Sequence, residues 1–230
     1  MARSALRPSA VEILAGTDVI EGDLVTPPAA TGLVVFAHGS GSSRFSSRNR
    51  AVALVLQQGG FATLLMDLLT REEEDIDTET REFRFDIDRL GRRVTAVIDW
   101  VRQDRGFSSL PVACFGASTG AAGALIAAAE RPAIVRAVIS RGGRPDLAGD
   151  ALPRVQAPTL LIVGGNDQSV IELNRAAMRK MRAQVQLEIV PGATHLFEEP
   201  GALERVSRLA TDWCARYLGK PGAKPGSWLD

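Results

Sequence analysis

Short apolar runs rich in valine, isoleucine and leucine alternate along this chain with longer stretches of helical period, and that alternation constrains the fold more than any other feature. The runs include residues 32–37 (GLVVFA), 61–66 (FATLLM), 111–115 (PVACF), 134–140, 158–163 (PTLLIV) and 185–190. A strand that is apolar at every position has both faces covered, and parallel strands need a crossover helix between them. The pattern therefore predicts an α/β fold: a mostly parallel central sheet with helices on both faces. An opening pair, 11–15 and 23–26, reads as antiparallel edge strands. Helices are expected over about 48–58, up to about residue 102, directly after Gly120, over 170–182 and over 203–218. The stretch 70–84 is polar throughout and is expected to be a solvated excursion.

The length of 230 residues suits one domain, expected over 1–220, and the Gly/Pro/Lys-rich end, 221–230, is expected to be a flexible tail. With 27 basic against 27 acidic residues the chain has no net field to attract polyanions, so nucleic acid is not an expected partner. The first residues lack the apolar core of a secretory signal, and the small-residue run 120–129 is half the length of a membrane span. The chain is expected to stay in the cytoplasm, off the membrane, as a monomer or homodimer. Cys114 and Cys214 fall in a buried strand and an amphipathic helix and read as two buried thiols, with no metal or cofactor implied.

Chemistry concentrates at the ends of the apolar runs. Gly116-Ala117-Ser118-Thr119-Gly120 fits G-x-S-x-G and lies between a predicted strand and a predicted helix, the context in which a sharp turn lifts a serine hydroxyl clear of the backbone. A serine needs a general base, and the chain has two histidines. His38 precedes the serine, whereas His195 follows the last strand, where the base of such a fold lies, so His195 is the expected base. Asp167, reached through Gly164-Gly165-Asn166 at the end of a strand, is the expected acid. It competes with a role as a helix cap, and Asp146 is the reserve acid. Backbone N–H groups of Thr119 and Ser40 are the expected oxyanion donors. His38 is expected to anchor the Ser40 loop, with substrate contact as its alternative.

With HGSG, GASTG, GGND and GATH in this order, the chain resembles the α/β-hydrolase superfamily over nearly its whole length, and within it the dienelactone-hydrolase-related proteins. The segment 141–157 is too short for a helical cap, which implies an open site. Dienelactone hydrolases use a cysteine nucleophile where this chain has Ser118, so the lactone substrate does not carry over. The resemblance implies a cofactor-independent serine hydrolase that acts on carboxylic esters through an acyl-enzyme. Non-catalytic binding, or acyl transfer and peptide hydrolysis on the same residues, are the alternatives. Arg44, Arg48, Arg50, Arg141 and Arg144 leave the sheet at its carboxyl end. They point either to an anionic substrate, with Arg44, Arg48 and Arg141 as its contacts, or to surface pairing with the acids of 72–79.

Overall fold

A computed structural model describes residues 6–219; the tail expected at 221–230 lies outside the described residues. The chain opens with β1 (Ser9–Ala15) and β2 (Asp18–Val25), an antiparallel hairpin that pairs Ser9 with Leu24 and Ala15 with Asp18. There follow β3 (Leu33–Ala37), α1 (Ser47–Gln58), β4 (Ala62–Met66), α2 (Arg71–Thr80), α3 (Ile87–Gln103), β5 (Val112–Ala117) and α4 (Gly120–Glu130). The second half comprises β6 (Val135–Arg141), a 3-10 segment (Pro145–Arg154), β7 (Thr159–Gly164), α5 (Gln168–Met178), β8 (Val185–Val190) and α6 (Ala202–Leu218). One eight-stranded sheet runs in the order β1-β2-β4-β3-β5-β6-β7-β8, with β4 antiparallel to β2 and every later pairing parallel.

Alternation along the strands builds two cores, because successive side chains leave a strand on opposite faces. Val35, Leu64, Cys114 and Val138 pack with Val94 and Ile98 of α3 and Leu125 of α4 on one face. Val34, Phe36, Phe115 and Ile139 pack with Leu56 of α1 and Val206 and Trp213 of α6 on the other. Cys114 and Cys214 sit in different cores as free thiols, and burial pushes the Cys114 thiol up to about 12.

Two elements differ from the sequence expectation. The hairpin strand β2 begins at Asp18, ahead of the expected start, and along it Val19, Glu21 and Asp23 alternate with buried Ile20 and Leu24, which gives the strand one wet face. The stretch expected as a solvated excursion contains α2, which opens with a reciprocal capping box. Thr70 Oγ1 accepts from the Glu73 N–H at 3.2 Å, and the Glu73 carboxylate accepts from the Thr70 N–H at 2.9 Å. Its one buried residue is charged, Asp77. No helix among the described residues is long and apolar enough to cross a membrane.

Candidate active site

Ser118 stands on the turn between β5 and α4 with φ +49, a left-handed conformation that costs a non-glycine residue about 1–2 kcal/mol. The turn is held from below. Its N–H donates to the Arg141 carbonyl at 3.3 Å, and its carbonyl accepts from Ala121 at 3.2 Å and Arg144 at 3.0 Å. The flanking glycines are there because the chain crosses itself. A Cβ at Gly116 would lie 2.3 Å from the Ala121 Cα, and one at Gly120 would lie 2.3 Å from the His38 carbonyl oxygen.

The loops after β7 and β8 are stitched together by backbone hydrogen bonds from Gly165 to Val190 (2.8 Å) and from Asn166 to Ala193 (2.9 Å). This brings Asp167 and His195, 28 residues apart, into contact, with His195 Nδ1 donating to Asp167 Oδ2 at 2.6 Å. Asp167 starts α5 but makes no side-chain cap, so its carboxylate serves the imidazole rather than the helix. Asp146 is taken up instead by Arg144, which donates to its two oxygens at 2.9 and 2.8 Å. The bond through Nδ1 leaves His195 Nε2 without a hydrogen-bond partner among the described residues, and the side chain is 40% exposed. Gly142, next to the carbonyl that holds Ser118, borders this ring: a Cβ there would lie 3.6 Å from His195 Cε1. Ser118 Oγ itself makes no side-chain hydrogen bond among the described residues.

The loop after β3 closes the other side, where a Cβ at Gly39 would lie 2.9 Å from the Ser118 Cβ. The N–H groups of Ser40 and Thr119 donate to no acceptor among the described residues. His38 is buried under this loop with both ring nitrogens engaged. Nδ1–H donates to the Gly39 carbonyl at 2.9 Å, and Nε2 accepts from the Leu68 N–H at 3.0 Å. Burial holds its pKa below the ordinary value, so the ring is a neutral anchor with no nitrogen left for a substrate.

The arginines divide sharply. Arg44, expected as a substrate contact, is committed to an ion-pair cluster with Asp67, Glu21 and Asp23. Arg50 pairs with Asp23 at 3.0 Å. Neither pairs with the acids of 72–79. Arg48 donates to Glu198 at 3.1 Å, yet its Nε is buried without a partner. Arg141 is 8% exposed, and its Nε and one terminal nitrogen are buried without any acceptor. It leaves β6 on the same face as Ala137 and Ile139, toward α1 and Arg48. Burial first, and the neighbouring Arg48 charge second, bring its pKa down to about 10.

Sequence reasoning missed Asp77 and Arg84. Asp77, with no exposed side-chain surface, accepts from the N–H groups of Phe83 (2.7 Å) and Arg84 (2.9 Å) and from Arg84 Nε (2.6 Å). Its burial alone would raise its pKa, but the hydrogen bonds and charge of Arg84 and the Phe83 N–H hold it below the usual carboxylate range. The one readable signal was the Thr70–Glu73 capping pattern. An open groove of about 380 Å³ lies between this region and the Ser40 loop, lined by His38, Gly41, Ser42, Phe45, Leu69 and Glu74. Among the described residues no group of three or more His, Cys, Asp or Glu is placed to hold a metal.

A serine on a strained strand-to-helix turn, with a linked Asp–His pair on the next loops of a mostly parallel sheet, defines an α/β hydrolase by fold. Residues 20–216 match the model of the dienelactone hydrolase family, and the chain belongs to that family. A dienelactone hydrolase from Anabaena variabilis is 55% identical and superposes with a TM-score of 0.91 over 93% of this chain and 99% of its own. Est1E from Butyrivibrio proteoclasticus, solved with ferulic acid bound, shares the fold at 19% identity, with a TM-score of 0.77 over 92% of this chain and all of its own (100%). A Mycobacterium tuberculosis protein with the provisional name phosphoribosyl transferase is 56% identical over 217 residues, 94% of this chain. The chain spans 48% of that protein's length.

Proposed function

We propose that the protein hydrolyses carboxylic esters through an acyl-enzyme on Ser118. The observation that carries this reading is the 2.6 Å contact between His195 and Asp167, on loops that border the turn bearing Ser118. Ser118 Oγ attacks the ester carbonyl carbon while His195 Nε2 takes the hydroxyl proton, and Asp167 stabilises the imidazolium. The carbonyl oxygen, now an oxyanion, accepts from the N–H groups of Ser40 and Thr119. The C–O bond to the alcohol breaks as His195 returns the proton to the leaving oxygen. Water then repeats the sequence on the acyl-enzyme, releasing the acid and restoring Ser118. The transferase name of the mycobacterial relative belongs to a protein about twice this length, and it supports no step here.

We infer further that the ester carries an anionic group. Arg141 remains a cation at neutral pH, is deeply buried and has no carboxylate to itself, and its backbone touches Ser118. A carboxylate on the substrate would supply the missing acceptor beside Arg141 and Arg48. The test is turnover of p-nitrophenyl butyrate and of the p-nitrophenyl hemiester of succinic acid by wild type and Ser118→Ala. Turnover lost in the variant and higher kcat/KM for the hemiester are expected. Equal turnover in both proteins would overturn the acyl-enzyme.

A further inference from the structure

The two residues that offer oxyanion amides are also joined through their side chains. Ser40 Oγ and Thr119 Oγ1 are 2.9 Å apart, and Ser40 Oγ donates to the Arg84 carbonyl at 3.3 Å. Since the Ser40 proton is used on that carbonyl, the Thr119 hydroxyl is the donor to Ser40. Arg84 lies in the connection between α2 and α3, where Asp77 fixes it from several directions. Its N–H and Nε donate to the Asp77 carboxylate at 2.9 and 2.6 Å, and its terminal nitrogen donates to the Asp77 carbonyl at 2.8 Å. The guanidinium also backs the Ser40 loop: a Cβ at Gly41, which has φ +65, would lie 3.1 Å from it.

Asp77 is the only buried residue of α2, while the rest of that helix is largely exposed and polar apart from Ile76, which is itself exposed. A helix without an apolar face is thus docked by a charge, and the hydrogen bonds from that charge end on the oxyanion residues. Ser40 and Thr119 are 79 positions apart and arrive on different elements, so their amides have no covalent reason to converge. Donors that stabilise a developing oxyanion must be held within a fraction of an ångström before the reaction starts.

We propose that Asp77 and Arg84 are positioning residues that set the separation of the Ser40 and Thr119 amides for the transition state. This rests on the ester-hydrolase reading, so wild-type turnover and its loss in Ser118→Ala are established first. Absence of turnover would defeat that reading and this proposal together.

With turnover in hand, Asp77→Asn, which keeps shape but removes the charge, is compared with wild type in kcat, KM and melting temperature. Inhibition by phenylboronic acid, which adds to Ser118 as a tetrahedral anion, and by the carboxylic acid product is measured alongside. The expected result is a 10- to 100-fold fall in kcat with KM within about twofold, matched by an equal fall in boronate affinity while product affinity holds. Ser40→Ala should produce the same pattern, and the double variant should be no slower than the slower single variant, because both cut one chain of contacts. Unchanged kcat in folded Asp77→Asn, or losses that multiply in the double variant, would overturn the proposal. Should Asp77→Asn fail to fold, Ser40→Ala and Thr119→Val decide it by the same boronate-against-product comparison, with equal weakening of both ligands counting against it.

Discussion

Arg141→Met should make the protein more stable and a poorer enzyme for anionic esters. The lowering of the Arg141 pKa from its ordinary value to about 10 corresponds to roughly 3 kcal/mol by which the fold disfavours the charged guanidinium. Because the folded pKa lies below the unfolded one, the folded state releases its proton first, over a window that opens at about pH 10. Stability therefore rises with pH across that window, and the whole penalty is present below it. Methionine keeps an apolar stem of similar length and carries no charge, so the variant should gain about 1–3 kcal/mol at neutral pH. For a chain of this size each kcal/mol raises Tm by about 2–4 °C. Urea melts at pH 7.5 measure the gain. Over the same preparation, the ratio of kcat/KM for the succinate hemiester to that for the butyrate should fall about 10- to 100-fold, the worth of a hydrogen-bonded charge. A variant that is less stable by more than about 2 kcal/mol and keeps its substrate ratio would refute the reasoning. Arg141 would then have an acceptor in the free protein and a purely structural place.

Three further outcomes test the site itself. Ser118→Ala should abolish turnover yet leave stability within about 1 kcal/mol, since alanine inherits the same Cβ and the same backbone strain; ester assay and melting curve on one sample check both. Asp167→Asn should lower kcat about 10,000-fold by disturbing the His195 tautomer, whereas Asp146→Asn, which disturbs only the Arg144 pair, should leave kcat near wild type. Gly116→Ala should cost more than about 4 kcal/mol and prevent recovery of folded protein, because its Cβ would meet backbone at 2.3 Å; a soluble, cooperatively melting variant would contradict the packing described for the turn.

The sheet was legible because its inner strands are runs rich in valine, isoleucine and leucine and almost wholly buried, and the Ser118 turn was legible because its glycines mark where strand and helix cross. The chain's two histidines split by position, one before the serine and one after, so scarcity helped as much as pattern. What resisted reading was polar. Arg44, Arg48 and Arg141 look alike in a sequence, but Arg44 finds Asp67, Glu21 and Asp23 across the hairpin while Arg141 finds none. Partner choice of that kind depends on where distant loops meet, which periodicity does not encode. The helix α2 was hidden for a related reason: its docking residue is Asp77, and a lone buried aspartate among exposed acids leaves no apolar period to detect.

Around Ser118 the polar groups fall into two sets, those met in the free protein and those left unmet, and that division separates scaffold from the proposed ligand surface. Asp77 and His38 are met by hydrogen-bond partners in the free protein, and Arg44 by three carboxylates, so replacing any of them leaves other buried groups unpaired and disturbs geometry. The N–H groups of Ser40 and Thr119 and the guanidinium of Arg141 are donors without acceptors. Folding alone does not account for the Arg141 nitrogens, since an unmet buried donor is a net cost. The presence of these donors around one serine is accounted for when the acceptors arrive with the substrate, an oxyanion formed at the amides and a carboxylate held at the arginine. An ester lacking the carboxylate should then still react, because the amides are met, but from a weaker complex, so its deficit should appear mainly in KM rather than kcat.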